Sequence, residues 1–339
     1  MKGRVRVTGA RPLTRAMPLL IVALVVALAA IPLAVPTDYV LGGLLARDVL
    51  DTAGTFAVVA VGLNLLSGGT GQFSLGHAGY YAIGAFTAGI LNTTYGWPFW
   101  LDIPAGGLVA AAFGVVLGVP VLRLSGPYLS IATLGFGLLV AQVLGGADWA
   151  GGRSGVALNP ARLGPYTFSG LTFFWVVLAV LALGVFVAHN LRRGATGRAF
   201  VALRESESAA QASGVNVARY RVIAFALSAL YAGIAGGLFA HWSPGPIFAD
   251  SFGLPVSVLF VAMIVIGGLD STVGAIIGAV FLTAVQEVTS GNPQLASTLF
   301  GAIIVVALLF MPRGLVGLPA LLRRVRQQPI QAAGGGTHA

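Results

Sequence analysis

The sequence predicts an all-α fold: a polytopic membrane helix bundle of about ten transmembrane segments, with both termini cytoplasmic and a cytoplasmic coupling helix. Three observations predict it. Of 339 residues, 57% are hydrophobic and only 9% are charged, against about 25% charged in an ordinary soluble domain. The few charges are gathered into short stretches between long apolar runs, as expected where each charge at the bilayer centre costs roughly 2.5–3.5 kcal/mol. Finally, the basic residues are concentrated in alternate loops, which gives the bundle a sidedness.

A spanning helix needs about 20 apolar residues, within a range of about 17–25. That ruler gives ten segments, at 17–36, 50–66, 74–92, 103–122, 127–147, 171–189, 219–240, 255–269, 271–289 and 295–311. An even number of crossings puts both ends on one side. Lys2, Arg4, Arg6, Arg11 and Arg15 precede the first segment, and Arg123 follows the fourth. Arg192, Arg193, Arg198, Arg204, Arg219 and Arg221 lie around the connection between the sixth and seventh segments, and Arg313, Arg323, Arg324 and Arg326 follow the last. Only Arg47, Arg153 and Arg162 fall on the other side, so sixteen of the nineteen basic residues are cytoplasmic in this topology. Eight crossings, with one hydrophobic pair re-entrant, keep the same sidedness and remain the competing count.

The expected organisation is a basic cytoplasmic N-terminus at 1–16, a membrane domain at 17–311 with a coupling loop at 190–221, and a cytoplasmic tail at 312–339. The first apolar run is longer than the roughly 7–15 residues of a signal peptide's apolar region, so it is expected to be an uncleaved span. The polar, glycine-rich end from Gln327 to Ala339 is expected to be disordered.

Several classes fall away. The chain has no cysteine, which removes disulfides, zinc–thiolate sites and thiol catalysis. The net charge of +9 is accounted for by topology, leaving nucleic acid nothing to explain. The only lysine is Lys2, so a G-x-x-x-x-G-K-[ST] phosphate loop is impossible, and no G-x-S-x-G or H-E-x-x-H motif occurs. No cofactor is expected on this chain, and no enzymatic activity.

Three stretches carry functional chemistry. From Gly62 to Phe86, Asn64, Ser67, Thr70, Gln72, Ser74 and His77 interrupt apolar sequence, and Gly68, Gly69 and Gly71 are expected to break the helix. A segment of 17 residues spans only about 25 Å, less than a hydrocarbon core of about 30 Å, so the break is expected at some depth in the membrane. Irregular backbone there must be buried in protein or line a wet cavity, and transporters use such breaks to meet polar cargo. Asn64, Gln72, Ser74 and His77 are therefore the candidate pathway residues. Taken singly, each could equally be polar glue between helices.

The loop from Asn190 to Arg221 contains strong helix formers between Arg204 and Ser213, and a short helix there could dock into a partner's groove. From Val256 to Leu282, Gly267, Gly268, Asp270, Ser271 and Thr272 interrupt a second short apolar segment. Paired interrupted segments, one in each half, point to a transporter's binding region. The small-residue spacings Gly114/Gly118, Gly233/Gly237 and Gly274/Gly278 predict close helix packing. The acids Asp51, Asp270 and Glu287 lie at or near predicted ends. That weighs against a stand-alone ion- or proton-coupled carrier, the competing functional class, which needs a relay within its spans.

GLNLLSGGTGQFSLGHAGYYAIGA, GRAFVALRESESAAQASGVNVARYRVIAFALSALYAGIAGGLFA, IVIGGLDSTVGAIIGA and MPRGLVGL together resemble the branched-chain amino acid ABC transporter permeases, specifically the longer of their two paired membrane subunits. The resemblance covers about 50 to 318. It implies an assembly with two cytoplasmic ATPase subunits that bind the ATP, a second permease and an external binding protein, in a bacterial inner membrane. The positions matching the family's coupling pattern are Arg198, Arg204, Glu205, Ala209, Ala210 and Gly214. Asp270 stands where relatives are often uncharged, and Arg153 where they often carry a more acidic loop. Branched-chain or other hydrophobic amino acids are the implied cargo, with urea, short amides or aromatic acids as the alternatives within the family.

Overall fold

The computed structural model describes residues 47–121, 124, 126–163, 165–168, 171–243, 245–289, 298–299, 301–303 and 314–317. Eight of the ten expected segments appear there as helices. The first, 17–36, lies outside the described residues, as do most of 295–311 and the tail from Gln327.

The helices are α1 (Arg47–Thr70), α2 (His77–Tyr95), α3 (Phe99–Val121), α4 (Pro127–Gly146), α5 (Leu171–Arg193), α6 (Ala195–Glu205), α7 (Glu207–Ala212), α8 (Val217–Trp242), α9 (Leu254–Gly267) and α10 (Thr272–Thr289). Seven helical stretches, all but α2 among the long helices, are long and apolar enough to cross a membrane. A two-residue hairpin, Arg162–Leu163 with Tyr166–Thr167, is the only strand pairing among the described residues apart from the bridge of Val156 to Ile247.

Chain connectivity makes one end of the bundle the α6–α7 end, where α1, α5 and α9 finish and α4, α8 and α10 begin. The hairpin and the turns Asp148–Ala150, Gly152–Ser154 and Ala249–Phe252 belong to connections at the opposite end. α8 packs along α1, α2 and α3, and α1 along α5, α8 and α10, so α1 and α8 form the centre. α3, α4 and α5 turn large apolar side chains such as Leu108, Phe113, Ile131, Leu139, Leu183 and Phe186 outward. This inversion of the soluble pattern suits a lipid solvent.

Where lipid is as apolar as leucine, helices associate by close van der Waals contact, and small residues permit it. A Cβ on Gly233 of α8 would lie 2.8 Å from the carbonyl oxygen of Gly106 and 3.0 Å from Cα of Gly107, both in α3. On Gly114 it would lie 2.7 Å from Cβ of Ala229, and on Gly274 2.6 Å from the carbonyl oxygen of Gly267. The three spacings predicted to pack closely therefore do so. An aromatic cluster completes the core. Tyr81 of α2 meets Phe56 of α1 at 6.2 Å, Phe239 of α8 at 5.5 Å, Phe252 at 5.5 Å and Phe260 of α9 at 5.4 Å between ring centres.

Two expectations about helix α1 are corrected. The segment expected at 50–66 is a 24-residue helix, about 36 Å long, and it is not short of the hydrocarbon core. Gly68 and Gly69 do not break it, because the helix continues to Thr70. Their missing side chains serve approach instead: a Cβ on Gly68 would lie 2.6 Å from the backbone nitrogen of Asp270, and one on Gly69 3.3 Å from the Phe200 ring. Gly71, with φ of 75°, lies just past the end of the helix. Gly267 is likewise the last helical residue of α9, and the chain turns at Gly268, with φ of 121°.

Gly233→Leu is expected to destabilise the bundle by roughly 1–3 kcal/mol or more, since overpacking forces the backbones apart. Gly135→Leu, on the outward side of α4 with nothing within 4 Å of its Cβ position, is expected to leave stability unchanged. Thermal unfolding of both variants in detergent checks the contrast.

Candidate functional site

The polar residues of the first interrupted stretch sort into three environments. The chain leaves α1 at Gly71 and does not re-enter a helix until His77. His77 Nε2 lies 2.5 Å from Oγ of Ser228, the twelfth residue of the 26-residue helix α8. The start of α2 therefore lies about 16 Å along α8 from its first residue. The connector Gly71–Gly76 is irregular backbone carried deep into the bundle.

Its polar groups are met by hydroxyls. The Leu75 N–H donates to Oγ1 of Thr133 in α4 at 3.0 Å, and the Ala78 N–H donates to Oγ of Ser257 in α9 at 3.2 Å. The Ser130 hydroxyl donates to the Phe73 carbonyl at 3.1 Å. The second ring nitrogen of His77 lies 3.1 Å from Oγ of Ser74. Ser74 and His77 are fully buried. They hold the connector in place and face no open cavity.

Gln72 differs. It lines an open cleft of about 720 Å³ at the α6–α7 end, together with Phe73, Ser130, Arg204, Glu207 and Arg221. Its Oε1 atom has no hydrogen-bond partner. Of the four candidate pathway residues, Gln72 is the one placed on an accessible surface.

Asn64 belongs to a third environment, a polar node joining the two interrupted stretches. Its Nδ2 donates to the Ser271 carbonyl at 2.7 Å, and its Oδ1 accepts from the Asp270 N–H at 3.0 Å. Arg192 of α5 donates to the carbonyls of Asp270 at 2.7 Å and Asn64 at 3.3 Å. Arg204 of α6 donates to the Gly68 carbonyl at 2.7 Å. The Asp270 carboxylate lies between these arginines, with Oδ1 3.4 Å from Arg192 and Oδ2 3.2 Å from Arg204. Two guanidinium groups at the C-terminal turns of α1 complement the negative end of the helix dipole, and Arg204 meets the unpaired carbonyl of Gly68. Asp270 itself takes φ of 75°, the one non-glycine residue to do so among those described. Aspartate tolerates this region better than most side chains, and the surrounding bonds hold it there. The pairing of 50–92 with 255–289 is thus a physical contact, made through Asn64 and the 268–271 turn.

The expected coupling segment forms two short helices. α6 buries Gly197, Ala199, Phe200 and Leu203 against the bundle. Arg198, Glu205, Ala209 and Gly214 are exposed, while Ala210 is buried and the Arg204 head group is turned inward to the node. α7 is capped by Ser206, whose Oγ accepts from the Ala209 N–H at 3.3 Å. Gly214, with φ of 82°, lets the chain leave α7, and the Val215 N–H donates to the Ala210 carbonyl at 3.0 Å. Glu207 pairs with Arg221 and ties α7 to α8.

One pair escaped the sequence reading. At the opposite end of the bundle, His241 Nε2 meets both carboxylate oxygens of Asp102, at 2.9 and 3.0 Å, with both side chains buried. Asp102 falls one residue before an expected segment and His241 one residue after another, so neither read as membrane-embedded. Only the neighbouring ends of α3 and α8 bring them together. This pair is not linked to His77, whose ring nitrogens meet only serine hydroxyls.

These features define a polytopic α-helical membrane protein whose polar, broken segments are wired into one bundle. Residues 45–308 match the family described as the branched-chain amino acid transport system / permease component, and the chain belongs to that family. It is a transport component and not an enzyme.

The chain is 36% identical over 295 residues to the high-affinity branched-chain amino acid transport system permease protein LivM of Escherichia coli K12, covering 79% of this chain and 69% of that one. It is 34% identical over 313 residues to the LivM protein of Salmonella typhimurium LT2, covering 85% and 73%. The autoinducer 2 import system permease protein LsrC of Klebsiella pneumoniae is 31% identical over 187 residues, covering 54% of this chain and 52% of that protein. No solved structure matches the chain.

Asn64→Leu is expected to cost roughly 1–3 kcal/mol for each backbone group it strands at Asp270 and Ser271. Gln72→Ala, with no internal bond to lose, is expected to stay within about 0.5 kcal/mol of the parent. Melting temperatures of the two purified variants check this contrast between Asn64 and Gln72.

Proposed function

We propose that this chain is the membrane-spanning permease subunit of an ATP-driven ABC importer that translocates branched-chain or other hydrophobic amino acids delivered by an external binding protein. The observation that carries this reading is the deep irregular connector Gly71–Gly76. It opens through Gln72 into a cleft on the same end as α6 and α7. A carrier built on titratable side chains would need a chain of them across the bundle. Here the mid-depth histidine rests on hydroxyls, and the cleft adjoins the exposed loop helices.

In this reading both termini are cytoplasmic, with 17–36 and 295–311 as the first and last of ten crossings. The regions 1–16 and 312–339 flank the membrane domain 17–311. α6 and α7 form the surface on which an ATPase subunit docks, with Arg198, Glu205, Ala209 and Gly214 outward. Arg204 acts from behind, joining that surface to the ends of α1 and α9. Two ATPase subunits bind and hydrolyse the ATP, and this chain binds no cofactor. A sister permease, forming a heterodimer, completes the pathway in a bacterial inner membrane. A relative named for autoinducer 2 import supports reading the cargo as set outside this chain. Cargo choice therefore lies with the binding protein.

Co-purification of the tagged chain from native membranes, followed by mass spectrometry, is expected to recover two ATPases and a second permease in stoichiometric amounts. A chain that emerges alone and still moves solute in ATP-free liposomes would overturn the proposal. In the reconstituted complex, Gln72→Ala is expected to lower uptake about fivefold, the worth of about one hydrogen bond, without loss of assembly. Glu205→Arg is expected to separate ATP hydrolysis from uptake or to release the ATPases. Both follow from parallel assays of hydrolysis and uptake.

A further inference from the structure

A second cavity, of about 290 Å³, lies where α5 turns into α6. Its lining includes His189, Arg192, Arg193, Gly197, Val201 and Asp270. Both Asp270 carboxylate oxygens are already engaged, one by Arg192 and the other by Arg204. Arg193 is exposed, and its guanidinium makes no hydrogen bond or ion pair among the described residues. Nε of Arg192 is buried without a partner. At the same wall α6 begins, and Gly194 supplies no side-chain cap to its first N–H groups. With two arginines against one carboxylate, the cavity carries excess positive charge and unused donors, the chemistry that recognises a phosphate.

Arg193, at the rim of the cavity, also borders an apolar side of α5. Leu183, 62% exposed, Phe186, 63% exposed, and Val187 share the outward side of α5 with Arg193. Their positions fall within an arc of about 120° at about 100° per residue. Leu183 to Arg193 covers about 15 Å of helix, one leaflet of a hydrocarbon core of about 30 Å. Arg193 therefore joins a cationic pocket to a one-leaflet apolar side, a pairing that suits a molecule with an acyl chain and an anionic head.

We propose that this cavity binds the phosphate of an acidic phospholipid in the cytoplasmic leaflet, with an acyl chain lying along the Leu183–Phe186–Val187 side of α5. Assignment to that leaflet rests on the sidedness given above; the binding itself does not.

The test uses the purified full chain in detergent and native mass spectrometry, titrated with phosphatidylglycerol, phosphatidylcholine or inorganic phosphate. Phosphatidylglycerol is expected to occupy one site more tightly than phosphatidylcholine. Arg193→Gln is expected to weaken that site about fivefold, the worth of one arginine near an anionic surface. Arg219→Gln, an exposed arginine at the start of α8, is expected to bind as the parent does. Arg193 has no internal partner to lose, so the variant should melt with the parent. Equal binding of the two lipids, no effect of Arg193→Gln, or displacement of the lipid by an equal concentration of inorganic phosphate would overturn the proposal. Because the detergent assay contains no ATPase and no membrane sides, its failure is separate from any failure of the importer assignment.

Discussion

Backbone polarity in an apolar medium is the constraint on which the rest of this structure depends. A buried N–H or C=O without a partner costs roughly 1–3 kcal/mol, and lipid offers no water to meet it. Helices solve the problem within themselves. The six residues Gly71–Gly76 cannot, so α4 lends them hydroxyls, while α9 and α8 meet the first turn of α2 that follows. Thr133 and Ser130 come from α4, Ser257 from α9, and Ser228 from α8 through His77.

The same demand explains the node at the end of α1. The last carbonyls of a helix have no partners within it. Arg204 reaches that of Gly68, Arg192 adds a bond to the Asn64 carbonyl one turn earlier, and Asp270 balances part of their charge. One group of atoms thus joins α1, α5, α6 and the turn between α9 and α10. A movement of α6 would act on the ends of α1 and α9 through short, charge-assisted bonds, which suits the docking role proposed for it.

Polarity in these segments has two uses that look alike in one dimension. Asn64, Ser74 and His77 are polar so that backbone can bend inside the bundle. Gln72 is polar on the wall of a cleft. All four stand within fourteen residues of each other, and nothing in their spacing separates the two roles. The distinction lies in what sits across from each: Ser271 for Asn64, Ser228 for His77, and no hydrogen-bond partner for the Gln72 amide oxygen on its cleft wall.

The sequence by itself determined the class of fold, the positions of eight described helices, the close-packing glycines and helix formation in the 190–221 loop, though not its division into two helices at Ser206. These follow from local composition: apolar length, small-residue spacing and the charge of loops. It could not tell that α1 runs on through Gly68 and Gly69. A glycine that ends a helix and one that lets another chain approach carry the same letter, and only the backbone of Asp270 opposite shows which is present. Nor could it pair Asp102 with His241 or Arg204 with Asp270, since each partner lies 66 or more residues away in the chain. Tertiary structure decided those contacts, because a polar group's role is set by the neighbour that folding brings to it.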